Sequence, residues 1–403
     1  MPLSLYLHIP FCSTRCAYCD FNTYAGLEGR IPAYVQALAR EIETVAQGVR
    51  GIAPGGDQQV HTIFIGGGTP SLLSPESLGS LLRTIRAEFS VDHDAEVTME
   101  ANPGSLSAMS LDALRNIGIS RLSLGGQSAN PSDLALLGRT HDYGDVVESV
   151  RAARKAGFDN INVDWILGLP SQTLSLWLAT LGRALALGTE HLSIYALSLE
   201  FGTPLRAWVM RGLVAEPDPD RTADMYEATA ERLQAEGFVQ YEISNWARRR
   251  RNSSPTLPIE ETTFACRHNL QYWRNLPYLG FGAGAHGSAF GWRYSNLLSP
   301  EGFTRAMDRR AHSVPPMGPA VASSNHMTAA DTMAETMFLG LRMTAEGVLE
   351  KEFSRRFGVR MAATYGDELD RLSDQGLVEW DSEQARLTTR GRLLGNRVFE
   401  AFV

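Results

Sequence analysis

Six short apolar runs, each followed by a segment of helical periodicity, constrain the fold of this sequence more than any other feature. Strand-like runs that alternate with helices predict a parallel sheet, because each helix returns the chain so that the next strand starts in the same direction. Glycine or polar residues follow the runs at their carboxyl ends, where α/β barrels place their chemistry. The predicted strands are 3–9, 60–65, 95–100, 119–124, 160–164 and 192–197.

The number of strand–helix units leaves the shape of the sheet open. A closed barrel of this kind has eight units, so six are compatible with a partial barrel or with an open sheet. The length of 403 residues is sufficient for such a core and an appended module. We predict three domains: a strand–helix core at 1–245, a segment with a glycine-rich run and a linker at 246–325, and a C-terminal module at 326–403.

The C-terminal module has a winged-helix-like pattern. Helical periodicity is present near 327–342, 350–357 and 360–373, and a predicted hairpin at 376–388 precedes a last helix near 389–400. Winged helices often bind DNA, but this tail is not basic on balance and the whole chain has a net charge of −8. Because nucleic-acid surfaces need clustered positive charge, we expect no nucleic-acid partner.

The composition predicts a cytoplasmic protein. No stretch approaches the ~18 apolar residues that a membrane-spanning helix needs, and the sequence enters its first strand with no charged-then-apolar leader. Four cysteines, three of them in one short segment, fit a reducing compartment rather than a disulfide scaffold. Hydrophobic residues make up 44% of the chain, which is enough for a sizeable core.

Three of the four cysteines lie directly after the first predicted strand at C-x3-C-x2-C spacing. Cys12, Cys16 and Cys19 can converge on one side of a short loop, and three thiolates in this arrangement suit an iron–sulfur cluster. Since a [4Fe-4S] cluster has four irons, one iron would stay open for another ligand. Two alternatives remain: a zinc site, which would want a fourth Cys or His nearby, and a disulfide, which would leave one cysteine unpaired.

This cysteine motif after a strand resembles the signature of the radical S-adenosylmethionine (SAM) superfamily. The longer phrase from Tyr6 to Cys12, Tyr-x-His-Ile-Pro-Phe-Cys, is similar to that of the oxygen-independent coproporphyrinogen oxidase group. The resemblance implies a partial (β/α)6 barrel and a [4Fe-4S] cluster whose open iron chelates SAM. It also implies one-electron cleavage of SAM to a 5′-deoxyadenosyl radical, with an electron donor such as flavodoxin or ferredoxin.

The same resemblance assigns SAM contacts to residues at the strand ends. Glycines after the second strand match the motif that supports the methionine end of SAM, and Glu100 and Asp164 match polar contacts of the cofactor. Both features also have a structural interpretation, since glycines make tight turns and a strand-end carboxylate caps the following helix. The SAM contacts that the resemblance implies are Tyr6, Tyr18, Gly67, Gly68, Thr69, Glu100, Gln127, Arg139 and Asp164.

Two departures from the coproporphyrinogen dehydrogenases indicate a particular subfamily. Those enzymes have a further cysteine two residues after the third cluster cysteine, where this sequence has Phe21. They also carry a longer N-terminal extension, whereas this chain begins almost at its first strand. Cys-Asp-Phe-Asn at 19–22 and His-Asn-x-x-Tyr-Trp at 268–273 resemble instead the HemW-type haem chaperones, in which the second motif is associated with haem binding.

The resemblance to HemW-type proteins implies haem as cargo, with His268, Tyr272 and Trp273 as its contacts. Histidine is a common axial haem ligand, and two aromatic rings offer flat apolar surface to a porphyrin. The structural interpretation of His268 is a hydrogen-bonded histidine in the protein interior. Cys266 is an alternative thiolate ligand, or a small buried hydrophobic residue.

The leading hypothesis is therefore a [4Fe-4S] and SAM-binding haem chaperone that hands haem to apo-haemoproteins such as respiratory cytochromes, including membrane-associated ones. An oxygen-independent coproporphyrinogen III dehydrogenase, which decarboxylates two propionates, is the enzymatic alternative in the same porphyrin metabolism. A structural zinc protein is the third hypothesis. The sequence leaves open which apo-protein receives haem and whether the chain forms a homodimer.

Overall fold

The chain folds into two compact units that each combine separate parts of the sequence. The first unit consists of Met1–Thr229 and Pro277–Asn325, and the second of Ala230–Leu276 and His326–Val403. The predicted domain boundaries at 245 and 325 follow chain order and stay a prediction. The computed structural model describes residues 2–52, 59–251, 254, 257–309 and 314–403.

Six parallel strands form the centre of the first unit, which confirms the strand–helix alternation of the sequence. They lie side by side in chain order, and the register pairs Leu5 with Ile63 and Val163 with Leu192. Among the described residues the sheet does not close on itself, which fits six units rather than the eight of a closed barrel. The strands are β1 (Leu3–Ile9), β2 (Val60–Gly67), β3 (Val91–Ala101), β4 (Arg121–Gln127), β5 (Ile161–Leu167) and β6 (His191–Ala196).

The two faces of this sheet differ in polarity, because successive side chains of a strand point to opposite faces. On one face, apolar residues such as Leu5 and Ile63 are fully buried. On the other face, the hydroxyls of Ser4 and Thr62 are hydrogen bonded across β1 and β2 (2.6 Å). Asn162 of β5 likewise donates to Ser123 on β4 (2.8 Å). The polar face is therefore internally hydrogen bonded and leads to the carboxyl ends of the strands.

Helices connect the strands, and local sequence signals define their ends. Ser74 Oγ accepts a hydrogen bond from the Ser77 N–H (3.3 Å) before Pro75 opens a helix, and Gly118 ends another in the left-handed region. None of the described helices combines the length and the apolar character needed to cross a membrane. The helices of this part are Ile31–Ile52, Pro75–Glu88, Ala108–Ile117, Pro131–Leu137, Tyr143–Lys155, Leu174–Ala186, Pro204–Met210, Pro300–Asp308 and, across the boundary at residue 229, Pro219–Ala235.

Four further strands, which the sequence did not predict, extend the sheet beyond β1. The first of them, Tyr278–Phe281, pairs with β1 in parallel and belongs to the glycine-rich run. The end of the predicted linker forms the fourth of these strands, Val321–His326. Residues 311–313 of the linker lie outside the described part. These strands are short and rich in small residues, so they lack the apolar alternation that predicts a strand. They are Tyr278–Phe281, His286–Ala289, Trp292–Asn296 and Val321–His326.

The second unit contains the winged-helix-like module that the sequence predicts. Its core includes buried side chains such as Phe353, Leu369 and Leu372, and a three-stranded antiparallel sheet forms the wing. The predicted last helix is divided into short pieces. The unit contains the helices Ile259–Thr262, Arg267–Trp273, Ala329–Gly340, Glu350–Phe357, Met361–Asp374, Thr389–Leu393 and Gly395–Phe399, and the strands Phe238–Glu242, Asn245–Arg248, Val348–Leu349, Val378–Trp380 and Gln384–Leu387.

A buried acid holds the glycine-rich run against the first long helix. Glu41 is 1% exposed, and its carboxyl group accepts hydrogen bonds from the Gly282 N–H (2.7 Å) and from Asn296 Nδ2 (2.7 Å). Burial raises the pKa of Glu41 to about 8, although both hydrogen bonds oppose this shift. The native protein therefore retains a proton on Glu41 at neutral pH.

This proton predicts a particular pH dependence of stability. Between the ordinary pKa of 4.5 and the native value of about 8, the folded state binds a proton that the unfolded state has released, so the free energy of unfolding falls as pH rises. We expect Glu41→Gln to remove this contribution. In urea titrations, its stability relative to wild type should increase from about pH 5 to about pH 8, by up to about 1.4 kcal/mol per pH unit. The exposed Glu43 on the same helix provides the control Glu43→Gln, which should not show this increase. Parallel pH profiles for Glu41→Gln and wild type would contradict the interpretation.

Candidate functional site

The cysteine loop is closed at its base by two very short strands. Phe11–Cys12 pairs in parallel with Tyr24–Ala25, which brings both ends of the loop together. The turn after β2 packs against the same base, because the Thr69 N–H donates to the Phe11 carbonyl (2.7 Å). The cysteine loop and the glycine turn therefore form one continuous edge at the carboxyl ends of β1 and β2.

Asn22 anchors the far end of the cysteine loop to a distant part of the chain. Its Nδ2 donates to the carbonyl oxygens of Ala283 (3.1 Å) and Leu298 (2.9 Å). Its own carbonyl is hydrogen bonded to His8 Nε2 (2.9 Å). His8 is therefore a structural residue here, as its position in the buried strand suggests.

Two glycines are required by close approaches around this loop. A Cβ on Gly68 would lie 2.6 Å from the Phe11 carbonyl and 3.0 Å from Cys12 Sγ. Gly284 has a φ of 78°, and a Cβ there would clash with Asn22 Nδ2. Gly284 therefore allows the backbone of the glycine-rich run at 278–287 to pass close to the Asn22 side chain.

The three cysteines and eight of the nine predicted SAM contacts line one cleft at the carboxyl ends of the strands. All three thiols are free. Tyr6, the ninth predicted SAM contact, is not among the lining residues of this cleft. Its hydroxyl is hydrogen bonded to His8 Nδ1 (3.0 Å), and its ring stacks on Phe64. Phe21, which replaces the dehydrogenase cysteine, is 62% exposed and also lines the cleft. The predicted residues in the lining are Cys12, Cys16, Tyr18, Cys19, Gly67, Gly68, Thr69, Glu100, Gln127, Arg139 and Asp164.

Two buried carboxyl groups give this cleft an unusual electrostatic character. Burial, and secondly the nearby Asp164, raises the pKa of Glu100 to about 7. Burial also raises the pKa of Asp164, against hydrogen bonds that include one from Asn162 Nδ2 to Asp164 Oδ1 (2.7 Å). Two acids that disfavour each other's ionisation are stabilised by a cation between them. The cleft is therefore suited to a ligand with positively charged groups, such as the sulfonium and amino groups of SAM.

Gln127 and Arg139 complete the polar side of the cleft. Gln127 has a φ of 64°, an uncommon conformation for a non-glycine residue that is often found at functional sites. Arg139 donates to Cys16 Sγ (3.3 Å) and to the Gly125 carbonyl (2.9 Å). A cationic side chain thus contacts one of the three cysteines of the loop directly.

The three free cysteine thiols are suitable ligands for an iron–sulfur cluster. Burial raises the pKa of Cys12 and of Cys19, so both thiols stay protonated until a metal displaces the protons. Within the described ranges, no three His, Cys, Asp or Glu side chains are grouped as ligands of one metal ion. A zinc ion needs its ligands about 2.0–2.3 Å from a single point, whereas the thiolates of a cluster bind different irons.

The three predicted haem contacts lie in the second unit, on the helix Arg267–Trp273. His268 is 1% exposed, and its Nε2 is hydrogen bonded to Tyr272 Oη (2.9 Å). Trp273 packs against the guanidinium of Arg342, which lies 4.4 Å from the ring centroid. These surroundings agree with the structural interpretation of His268, and an iron at Nε2 would have to replace Tyr272. Cys266, the alternative ligand, is fully buried.

Sequence reasoning missed two asparagines of the site. Asn102 lines the cleft and hydrogen bonds with Thr69 (3.2 Å) and Arg139 (2.7 Å). The sequence marks Asn22 only as part of the subfamily motif Cys-Asp-Phe-Asn at 19–22. An Asn-Pro pair directly after a strand is a local signal for Asn102, but the partners of Asn22 lie more than 250 residues away and leave no local pattern.

Comparisons with known proteins agree with this geometry. Residues 6–184 match the model of the radical SAM superfamily, and residues 327–394 match the HemN C-terminal domain. The chain is 37% identical to the haem chaperone HemW of Bacillus subtilis, over 99% of this chain and 99% of that protein. The chain belongs to the HemW family. The HemW protein of Mycobacterium tuberculosis is also 37% identical, over 98% of this chain and 94% of the relative.

A solved structure supports the fold of this HemW family member. Coproporphyrinogen III oxidase (HemN) from Escherichia coli, a radical SAM enzyme, has a TM-score of 0.81 with the chain. The alignment covers 100% of this chain and 90% of the enzyme, and the two sequences are 24% identical. At this level of identity the likeness shows the fold alone.

Gly284→Ala tests how the loop is anchored in this HemW family chain. The substitution places an alanine in the left-handed region, at a cost of about 1–2 kcal/mol, and displaces Asn22. Gly188→Ala is a matched control, because Gly188 has a φ of 66° but no neighbour within 4 Å of its Cβ position. Both variants should lose stability, and only Gly284→Ala should accelerate hydrogen exchange in residues 12–24, measured by mass spectrometry. Equal exchange in the two variants would show that Asn22 does not hold the loop.

Proposed function

We propose that this chain binds a [4Fe-4S] cluster through Cys12, Cys16 and Cys19, binds SAM in the adjoining cleft, and carries haem to apo-haemoproteins such as respiratory cytochromes. The observation that carries the cofactor assignment is the convergence of the three free thiols and the polar strand-end residues on one cleft. The cargo assignment is supported by likeness over nearly the full length to relatives named haem chaperones. An electron donor such as flavodoxin or ferredoxin and a cytoplasmic location are part of this proposal.

In the proposed site, the protein supplies orientation and charge. When bound, the cluster and SAM together supply one-electron chemistry. Gly67 and Gly68 let the turn pack closely against His8 and the Phe11 carbonyl. Glu100 is held toward the cleft by the Gly67 N–H (3.0 Å). Asn162 orients Asp164 from the polar face of the sheet. These two carboxyl groups would balance the positive groups of SAM as they ionise.

The haem part of the proposal relies on the helix that carries the H-N-x-x-Y-W motif. His268 offers a ring nitrogen, and Tyr272 and Trp273 offer aromatic surface. Because His268 Nε2 is bonded to Tyr272 in the structure, haem binding would exchange that hydrogen bond for a bond to iron. We propose that the chain does not oxidise coproporphyrinogen, since Phe21 replaces the cysteine found in the dehydrogenases.

Iron analysis tests the cluster. After anaerobic reconstitution we expect about four irons and a similar amount of sulfide per chain, which is the content of one [4Fe-4S] cluster; each of the three thiolates would hold one of its irons. Cys12→Ala, Cys16→Ala and Cys19→Ala should each lose most of this iron. Cys266→Ala is the matched control and should retain it, since Cys266 belongs to the second unit. Stoichiometric zinc without iron or sulfide would falsify the assignment.

Haem titration tests the cargo. His268→Ala should change the absorption spectrum of bound haem, because the axial ligand is lost, and should reduce transfer to an apo-cytochrome by at least about tenfold, the scale seen when support of a metal ligand is removed. Cluster iron should be unchanged. The exposed His93 provides the control His93→Ala, which should behave as wild type.

The outcomes of this titration separate the hypotheses. An unaltered spectrum in His268→Ala would move the ligand to another residue, with Cys266 the next candidate. Several turnovers of coproporphyrinogen to protoporphyrinogen by the reconstituted wild-type protein would reject the chaperone assignment in favour of the dehydrogenase.

A further inference from the structure

One side chain, Asn102, connects two of the three cluster cysteines through a chain of hydrogen bonds. Arg139 Nη2 donates to Asn102 Oδ1 (2.7 Å), and Asn102 Nδ2 donates to Thr69 Oγ1 (3.2 Å). At one end of the chain, Arg139 Nη1 donates to Cys16 Sγ (3.3 Å). At the other end, Thr69 Oγ1 donates to Cys12 Sγ (3.6 Å). Asn102 therefore lies at the centre of a bridge between two sulfur atoms.

The direction of every bond in this bridge follows from the chemistry of its members. A guanidinium has no acceptor, so Asn102 must face Arg139 with its oxygen. Its amide nitrogen then faces Thr69, and because an amide NH2 only donates, the Thr69 hydroxyl accepts there. The single hydroxyl proton of Thr69 is left to point at Cys12. Asn102 thus fixes a donor toward each of the two sulfurs.

The position of Asn102 is itself well determined. It directly follows β3, and its carbonyl accepts hydrogen bonds from the Ser105 N–H (3.1 Å) and from Ser105 Oγ (2.6 Å). Arg139 is held by a second acceptor, the Gly125 carbonyl of β4 (2.9 Å). The bridge is therefore attached to the ends of two adjacent strands.

We propose that Asn102 is a positioning residue that sets the reduction potential of a cluster held by these cysteines. The inference rests on the proposed binding of a [4Fe-4S] cluster. Hydrogen bonds to the sulfurs are among the factors that set cluster potentials, because a donor stabilises the more negative, reduced state. The bond from Arg139 is charge-assisted and is therefore the stronger of the two. Asn102 acts only through Arg139 and Thr69, which carry the donors.

Asn102→Leu tests this role, since leucine has a similar size and no hydrogen-bonding group. We expect the anaerobically reconstituted variant to keep its iron and sulfide. Its midpoint potential, from a redox titration followed by electron paramagnetic resonance, should be more negative than that of wild type. A tenfold shift of the reduction equilibrium is expected, which is about 59 mV for one electron.

Thr69→Val separates the two arms of the bridge. It removes only the donor to Cys12, so it should lower the potential by less than Asn102→Leu does. In a protein that already carries Asn102→Leu, Thr69→Val should lower the potential by less than it does in the wild-type protein, because the orientation of the Thr69 hydroxyl is already lost. Asn116→Leu is the matched control: it makes the same substitution at an exposed asparagine of the helix Ala108–Ile117, so its potential should equal that of wild type.

Each result decides between clear alternatives. Wild-type potentials in both Asn102→Leu and Thr69→Val, with full iron, would overturn this inference and leave the proposed function intact. A wild-type protein that takes up no iron and sulfide would overturn both. If Asn102→Leu alone loses iron, Thr69→Val decides: a lowered potential supports the role of the bridge, and an unchanged one rejects it.

Discussion

The common direction of six strands is the constraint on which the site depends. Parallel strands present all their carboxyl ends at one edge, so residues from distant parts of the sequence meet there without further organisation. Cys12 follows β1, Gly67 ends β2, Glu100 lies near the end of β3, and Gln127 ends β4. The backbone at that edge is the scaffold that brings the side chains of the cleft together.

Burial in this cleft is balanced by hydrogen bonds that lead back into the sheet. Asn162 Nδ2 donates a hydrogen bond to Asp164 Oδ1 (2.7 Å). Asn162 Oδ1 in turn accepts a hydrogen bond from Ser193 Oγ (3.1 Å) and is hydrogen bonded to His191 Nδ1 (2.7 Å). These hydrogen bonds fix the polar side chains below the cleft, so the face can support ionisable groups at its mouth. Burial at this place raises the pKa values of Glu100 and Asp164, and a cationic ligand would offset that effect.

The sequence predicted elements whose signal is local. The six strands were recognised because each is an apolar run with a turn at its end, and the cysteine spacing identified the loop. The sequence does not predict the strand Tyr278–Phe281, because it belongs to a glycine-rich run and because its partner strand β1 is more than 250 residues away in the sequence. Asn102 belongs to a turn, and only the folded structure shows that its amide lies between Arg139 and Thr69.

The anchor of Asn22 has a consequence for how the protein is made. Ribosomes produce the cysteine loop first, but its supports at Ala283 and Leu298 are synthesised more than 250 residues later. All of the first six strands leave the ribosome before these supports exist. The loop thus lacks these two hydrogen bonds during most of translation, and a cluster that requires the native loop geometry would be inserted only after most of the chain has been made.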